Sequence, residues 1–177
     1  MEPVLFSTSS SQAIVSFLSR HPQQAFYSRE IADKTHLSQG GTNQSLRELA
    51  DHGLITTEKK GRMVFYSVDI KSPLIRQYKI LRNITLLGDI VKKIKQFAER
   101  VVLFGSCARG EDTKESDIDL LVVSRDKERL RELVPQTKDK RVIQLLIKTP
   151  QEYVNLENKE PVFFKEVETG VVLWQRE

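Results

Sequence analysis

A glycine–serine pair and two closely spaced aspartates stand out in the C-terminal half of this 177-residue sequence. The apolar run Val101–Phe104 predicts a strand that ends in Gly105 and Ser106, where a helix is expected to begin. Glycine allows close approach of the backbone, and the serine hydroxyl and helix-start N–H groups can hold phosphate oxygens. Asp117 and Asp119 lie on the next predicted strand and share one face, because side chains there alternate. Two carboxylates facing a phosphate-binding turn indicate a site for Mg²⁺ on a nucleoside triphosphate.

The segment VVLFGSCARGEDTKESDIDLLVV, which contains these residues, resembles the minimal nucleotidyltransferases of the DNA polymerase beta superfamily. The family pattern is a Gly-Ser pair, a spacer and an Asp-x-Asp, and the Ala-Arg-Gly and the Ser before the first Asp also match. The resemblance implies Mg²⁺ as cofactor, ATP or another nucleoside triphosphate as substrate or ligand, and in-line attack on the α-phosphorus with pyrophosphate leaving. It assigns catalytic and metal-binding roles to Asp117 and Asp119, and nucleotide-binding roles to Gly105, Ser106 and Arg109.

Two positions leave the chemistry open. Arg109 either contacts phosphate or forms a structural ion pair with Glu111 or Asp112. Members of the resembled family that transfer nucleotides carry a third carboxylate on the following strand, and the aligned position in the predicted strand Arg141–Ile147 is Gln144. A glutamine can coordinate a metal but cannot serve as a base. The sequence therefore predicts nucleotide binding and leaves an active enzyme and an impaired one as alternatives.

Residues 1–70 carry the pattern of a helix-turn-helix followed by a hairpin. Apolar residues at helical spacing alternate with turn residues, and strand-like runs flank a polar loop at 58–62. Such a motif lays its second helix in the major groove of DNA, where short polar side chains suit phosphates and base edges. The predicted elements are helices over residues 10–20, from Ser28 and over residues 41–52, and strands over residues 54–57 and 63–68.

The stretch YSREIADKTHLSQGGTNQSLRELADHGLITTEKKGRMVFYSV resembles the winged helix-turn-helix domains of prokaryotic transcription regulators. The order of its elements and its Leu-Ser-Gln turn carry the resemblance, which implies double-stranded DNA as a partner. Winged helices also serve as protein-binding modules, so a structural or protein-binding wing is the alternative. The residues expected to bind DNA are Ser38, Gln39, Thr42, Asn43, Gln44 and Arg47 at the second helix of the motif, and Lys59, Lys60 and Arg62 in the wing.

A basic helix is predicted between these two parts. Apolar residues recur at steps of three or four from Leu74 to Ala98, and Gly88 is the position where this helix is expected to bend or end. Residues 71–100 carry 8 basic and 2 acidic side chains, whereas residues 1–70 are neutral overall. The helix is either a linker packed on its own domains or a dimerisation helix, and the second alternative predicts a homodimer.

Helical and strand-like segments alternate from residue 101 onwards, which is typical of an α/β domain. The predicted architecture is α/β (α+β), with a winged helix-turn-helix over 1–70, a linker or dimerisation helix over 71–98, and a nucleotidyltransferase-like mixed sheet with flanking helices over 99–177. The sequence contains neither an apolar run of spanning length nor a basic segment ahead of its first apolar patch, so no membrane partner is expected. The single cysteine, Cys107, excludes an internal disulfide and fits a cytoplasmic location.

Two functional hypotheses follow from these patterns. The first is a DNA-binding protein whose nucleotidyltransferase domain binds Mg²⁺ and a nucleoside triphosphate and transfers a nucleotidyl group. Because the resembled family includes antitoxins that modify a partner toxin, the acceptors considered include a protein. The second is a transcription regulator whose nucleotidyltransferase fold only senses nucleotide or mediates assembly. The intact Asp-x-Asp favours the first hypothesis, and Gln144 favours the second.

Overall fold

Helices packed with a small antiparallel sheet form the first part of the chain. The structure is a computed structural model that describes residues 8–134 and 141–177. Side chains that the helical spacing assigns to the core, among them Ile14, Ile31 and Leu46, are fully buried. Strand β3 lies between β1 and β2 and pairs antiparallel with both. The elements are α1 (Ser9–Arg20), β1 (Phe26–Tyr27), α2 (Ser28–Thr35), α3 (Gln39–Asp51), β2 (Thr56–Lys60) and β3 (Met63–Ser67).

The turn between α2 and α3 is shorter than the sequence predicts. Helix α3 begins at Gln39, because the hydroxyl of Ser38 caps it by accepting a hydrogen bond from the N–H of Gly41 at 3.3 Å. Gly40 and Gly41 therefore lie in the first helical turn and not in the preceding loop. At the other end, Gly53 adopts a left-handed conformation with φ of 68° and closes the helix as expected.

The hairpin loop is also shorter than predicted. Strand β2 continues to Lys60, which pairs with Met63, so only Gly61 and Arg62 form the turn. Gly61 has φ of 64°, a conformation that favours glycine in two-residue hairpin turns. Pairing with β3 satisfies part of the backbone hydrogen-bonding groups of residues 58–60, and this offsets the low strand propensity of their charged side chains.

One long helix, α4 (Pro73–Ile94), follows the hairpin. It runs through Gly88 without interruption and ends four residues before Ala98, the predicted limit. A Cβ added at Gly88 would meet no atom within 4 Å, so packing does not require glycine there. In the part of the chain that the structure describes, neither α4 nor any other helix is both long and apolar enough to cross a bilayer.

A four-stranded mixed sheet with helices on both faces forms the rest of the chain. The strand order is β6-β5-β4-β7, with β5 and β6 parallel and the other pairs antiparallel. The predicted class, a mixed sheet with flanking helices, is confirmed. The chain divides into two compact units, Met1–Arg76 and Gln77–Glu177. The further elements are β4 (Arg100–Phe104), α5 (Gly105–Arg109), β5 (Ile118–Val123), α6 (Lys127–Leu133), β6 (Ile143–Lys148), α7 (Pro150–Val154), α8 (Leu156–Lys159), α9 (Pro161–Glu168) and β7 (Val171–Gln175).

The two faces of this sheet pack against different helices. One face, which carries Leu103 and Leu120, packs against α4 and α6. The opposite face, which carries Phe104 and Leu121, packs against α7, α8 and α9. Because side chains alternate along a strand, Asp119 lies on the same face as Leu121. The sheet therefore presents the second aspartate of the Asp-x-Asp on the side covered by α9.

A buried polar network joins α4 to the segment between α5 and β5. The Asp112 carboxylate is 3.2 Å from Arg82 Nη2 and 3.1 Å from Arg141 Nη1, and it accepts a hydrogen bond from Asn83 Nδ2 at 3.0 Å. Lys79 Nζ donates to the backbone carbonyl of Asp112. Lys79, Asn83, Asp112 and Arg141 are all buried, and burial lowers the pKa of Lys79 below its ordinary value. Asp112 thus fixes the segment that leads into the Asp-x-Asp strand.

Removing the Asp112 charge should destabilise the second unit strongly. Asp112→Asn leaves buried cations without their anion, and we expect it to lower the free energy of unfolding by about 3–5 kcal/mol. Urea denaturation followed by circular dichroism measures this change. The control is Glu132→Gln, which breaks an exposed pair with Arg129 and should cost less than about 1 kcal/mol. Equal effects of the two substitutions would contradict the structural role of Asp112.

Candidate active site

The site is organised by a contact between Gly105 and Asp119. Phe104, the last residue of β4, pairs with Asp119 on β5, so the aspartate lies beside the point where β4 gives way to α5. Gly105 has φ of 68°, and a Cβ added there would overlap Asp119 Oδ2 and lie 3.1 Å from its Cγ. Only glycine fits both the backbone conformation and the space. The predicted juxtaposition of the glycine–serine turn and an aspartate is therefore present.

Asp117 lies next to Gln144. Asp117 immediately precedes β5, and Gln144 is paired with Asp119 on the parallel strand β6. Gln144 Nε2 donates a hydrogen bond to Asp117 Oδ2 at 2.8 Å. The side chain at the aligned third position thus faces the two aspartates, although its neighbours Val142 and Leu146 on the same face of the strand are apolar. It contributes an amide where the resembled family has a carboxylate.

Arg109 is paired with two carboxylates. Its Nε is 2.9 Å from Glu111 Oε2, and its Nη1 is 3.2 Å from Glu166 Oε1. These hydrogen bonds, first the one with Glu111, raise the pKa of Arg109. Of the two ion pairs considered from the sequence, the one with Glu111 is present, whereas Asp112 belongs to the buried network. The pairing of Arg109 with Glu166, which lies on α9, is not predicted by the sequence.

Negative charge is concentrated around Asp119. Partial burial raises the pKa of this carboxyl group, and the nearby carboxylates of Glu166 and then Asp117 raise it further. A divalent cation would relieve this repulsion, and carboxylate oxygens are the ligands that Mg²⁺ prefers. The donor set of Asp117 and Asp119 therefore fits Mg²⁺. Across residues 8–134 and 141–177, no three His, Cys, Asp or Glu side chains are grouped so as to hold a metal.

The two residues after Gly105 in α5, Ser106 and Cys107, differ in exposure. The Ser106 carbonyl accepts a hydrogen bond from the N–H of Glu111 at 2.9 Å, and Ser106 itself is partly exposed beside Gly105. Cys107 is fully buried, and burial raises the pKa of its thiol to about 11. The thiol stays protonated at neutral pH, so it does not act as a nucleophile.

The residues predicted at the start of the DNA-binding helix differ in exposure. Gln39 donates hydrogen bonds to Ser28 at 2.5 Å and to Asn43 at 3.1 Å, and Ser28 also donates to Asn43. Thr42 does not fit the prediction that it contacts DNA. It is fully buried, because it faces the interior of the first unit, and its side chain is not on the exposed surface. The exposed members are Ser38, Gln39, Gln44 and Arg47.

The wing residues are all exposed. Lys59 and Lys60 lie at the end of β2, and Arg62 is in the turn. Lys60 also pairs with Glu58 at 3.0 Å and lies over the Phe65 ring, 5.5 Å from its centroid. The three cations of the hairpin are therefore exposed around its turn.

A family model and two solved structures match parts of the chain. Residues 84–166 match the family model described as nucleotidyltransferase domain, and this range includes all the site residues from Gly105 to Glu166. A double mutant of ZitR from Lactococcus lactis is 21% identical and matches 55% of this chain and 67% of its own, with a TM-score of 0.41. A candidate nucleotidyltransferase from Sulfolobus solfataricus is 21% identical and matches 61% of this chain and 94% of its own, with a TM-score of 0.39. No curated protein matches the chain.

Substitution of the contact glycine tests the geometry of the site. Gly105→Ala forces a left-handed alanine against Asp119, and we expect a loss of stability of at least about 1–2 kcal/mol from the backbone alone. Gly88→Ala is the control, because it lies in the helix with open space at its Cβ and should stabilise by about 0.5–1 kcal/mol. Urea denaturation of both variants gives the values. An unchanged or stabilised Gly105→Ala would contradict the contact.

Proposed function

We propose that the second unit binds Mg²⁺ with ATP or another nucleoside triphosphate and transfers its nucleotidyl group to an acceptor hydroxyl. The contact between Gly105 and Asp119 carries this proposal, because it brings a phosphate-binding turn against one carboxylate of the Asp-x-Asp. The match of residues 84–166 to the nucleotidyltransferase domain supports the same reaction class.

The proposed roles follow from these positions. The backbone at Gly105 and the hydroxyl of Ser106 bind phosphate oxygens, and Arg109 contributes positive charge to them. Asp117 and Asp119 would hold Mg²⁺, which when bound neutralises phosphate charge and makes the α-phosphorus more electrophilic. The acceptor oxygen attacks the α-phosphorus in line, and pyrophosphate leaves with the electron pair of the broken P–O bond.

A second candidate function is nucleotide binding without transfer. It is favoured by the hydrogen bond from Gln144 to Asp117, since an amide at this position supplies no base. In this case the fold senses nucleotide or mediates assembly in a transcription regulator. Release of pyrophosphate from bound nucleotide distinguishes the two candidates.

For the first unit we propose binding to double-stranded DNA. Exposed polar side chains at the start of α3 suit base edges and phosphates, and Arg47 follows one turn later. Thr42 is not included, because it is buried. The exposed cations at the hairpin tip would bind the adjacent phosphates.

The proposed acceptors of the nucleotidyl group include a protein, such as a toxin. The proposal also includes a homodimer. Leu74 and Leu81 on α4 are 44% and 61% exposed, and a second copy of the chain would cover them. Dimers also suit winged helices that read two half-sites. Light scattering on samples with and without DNA gives the number of chains, and two are expected.

Removal of the two aspartate charges tests the nucleotide site. Asp117→Asn with Asp119→Asn should abolish Mg²⁺-dependent nucleotide binding, because amides do not offset the cation's charge. Isothermal titration calorimetry with ATP, in Mg²⁺ and in EDTA, measures this. Glu157→Gln, an exposed carboxylate on α8, is the charge control and should bind as the unmodified protein does. Metal-dependent binding that survives the double substitution would contradict the assignment.

Neutralising the wing tests DNA binding. Replacement of Lys59, Lys60 and Arg62 by alanine should weaken binding to every duplex and lower the salt slope by roughly 0.9 for each phosphate that the wing no longer neutralises. Fluorescence anisotropy over a range of salt concentrations measures both effects. The matched control removes three exposed lysines of the second unit, Lys114, Lys159 and Lys165. If the two triple variants behave alike, the wing has no special role in binding.

A further inference from the structure

Nucleotidyl transfer requires a base that removes the proton of the acceptor hydroxyl. The position on β6 that would supply this base is occupied by Gln144. Its amide has no basic lone pair at neutral pH, and its N–H is already donated to Asp117. Asp117 and Asp119 are assigned to the metal. A base for the reaction must therefore be another carboxylate near the Asp-x-Asp that is free of the metal and reachable from solvent.

Helix α9 lies against the same face of the sheet as Asp119. Phe104 is the strand partner of Asp119, so the two side chains share a face. The Phe163 ring of α9 meets the Phe104 ring edge-on, with centroids 5.5 Å apart. Residues three apart on a helix lie on neighbouring surface positions, which puts Glu166 on the same side of α9 as Phe163. This packing brings the Glu166 side chain to the edge of the site.

An ion pair with α5 fixes where the Glu166 carboxylate lies. Its Oε1 is 3.2 Å from Nη1 of Arg109, which is four residues after Gly105. The Glu166 side chain is 43% exposed, so an acceptor from solvent can reach it. Glu166 is thus at the edge of the site, oriented by a basic residue, and open to solvent.

We infer that Glu166 is the general base of the site and takes the place of the carboxylate that β6 lacks. This rests on the proposed function. In the step, the Glu166 carboxylate takes the proton from the acceptor O–H while the oxygen forms a bond to the α-phosphorus. The bond from the α-phosphorus to the bridging oxygen breaks, and pyrophosphate carries away its electron pair. Phosphates that bind Arg109 compete with Glu166 for the guanidinium, which frees the carboxylate for the acceptor.

Glu111 offers a matched control for Glu166. Both carboxylates pair with Arg109, at 2.9 and 3.2 Å, and both are partly exposed, but of the two only Glu166 lies on α9, the helix that packs on the face of the sheet carrying Asp119. The experiment uses the full chain with Mg²⁺ and each of ATP, GTP, CTP and UTP. It measures nucleotide affinity by calorimetry and pyrophosphate release by a coupled assay, with water and added cell lysate as sources of acceptor.

Glu166→Gln should lower kcat for pyrophosphate release by about 10²–10⁴-fold, the usual contribution of a general base. Its nucleotide affinity should not fall, since the base does not hold the nucleotide. Glu166→Asp should recover part of the rate, and Glu111→Gln should keep it.

Three results overturn the assignment of Glu166. They are an unchanged rate in Glu166→Gln, a loss of nucleotide affinity in Glu166→Gln that matches its loss of rate, and binding of nucleotide by the unmodified protein without release of pyrophosphate. If the unmodified protein binds none of the four nucleotides with Mg²⁺, the proposed function fails and the role of Glu166 fails with it.

Discussion

The arrangement of the second unit depends on one buried carboxylate. Asp112 is the anion to which Arg82 of α4 and Arg141, two residues before β6, are paired, and its backbone carbonyl also accepts a hydrogen bond from Lys79. Buried charges are tolerated only when they are paired and hydrogen-bonded, so these partners can occupy only positions that contact Asp112. Asn83 extends the network to the carbonyl of Cys107 in α5, at 3.1 Å. The network thus ties together the helix, the turn and the strand that surround the candidate site.

The candidate site, which this network positions, brings several carboxylates together, and Arg109 neutralises only part of their negative charge. Asp119 lies against Gly105, Asp117 accepts a hydrogen bond from the Gln144 amide, and Glu166 forms an ion pair with Arg109. Burial raises the pKa of Asp119, and repulsion from the neighbouring carboxylates adds to the effect. A cation and a polyphosphate together would supply positive charge to the aspartates and a partner for Arg109. The proposed nucleotide and Mg²⁺ would exchange with these ion pairs.

The charged side chains of the first unit are distributed differently from those of the second. Residues 1–70 are neutral overall, yet the cations of the hairpin are exposed and close in sequence. Binding to a phosphate backbone depends on such local clustering more than on the sum over a domain. The side-chain amides of Gln39 and Asn43, on α3, are hydrogen-bonded to Ser28, the first residue of α2. Reading of base edges by these two residues would require exchange of those bonds. Gln44 donates a hydrogen bond to Glu48 and would have to exchange it as well, whereas Arg47 is exposed on the helix surface.

The sequence by itself determined what depends on local spacing. Helical and strand periodicity indicated the order of elements and the alternating faces of β5, and the Gly-Ser and Asp-x-Asp spacing indicated the site. It did not determine pairing between segments distant in the chain. Glu166 is 47 residues beyond Asp119 and looks like any exposed glutamate of a short helix; only the packing of α9 on Phe104 brings it to the site. Likewise Thr42 fits a polar helix start in sequence, and only the packing of α3 shows that it faces inward. Periodicity describes one element at a time, whereas these positions are decided by which elements meet.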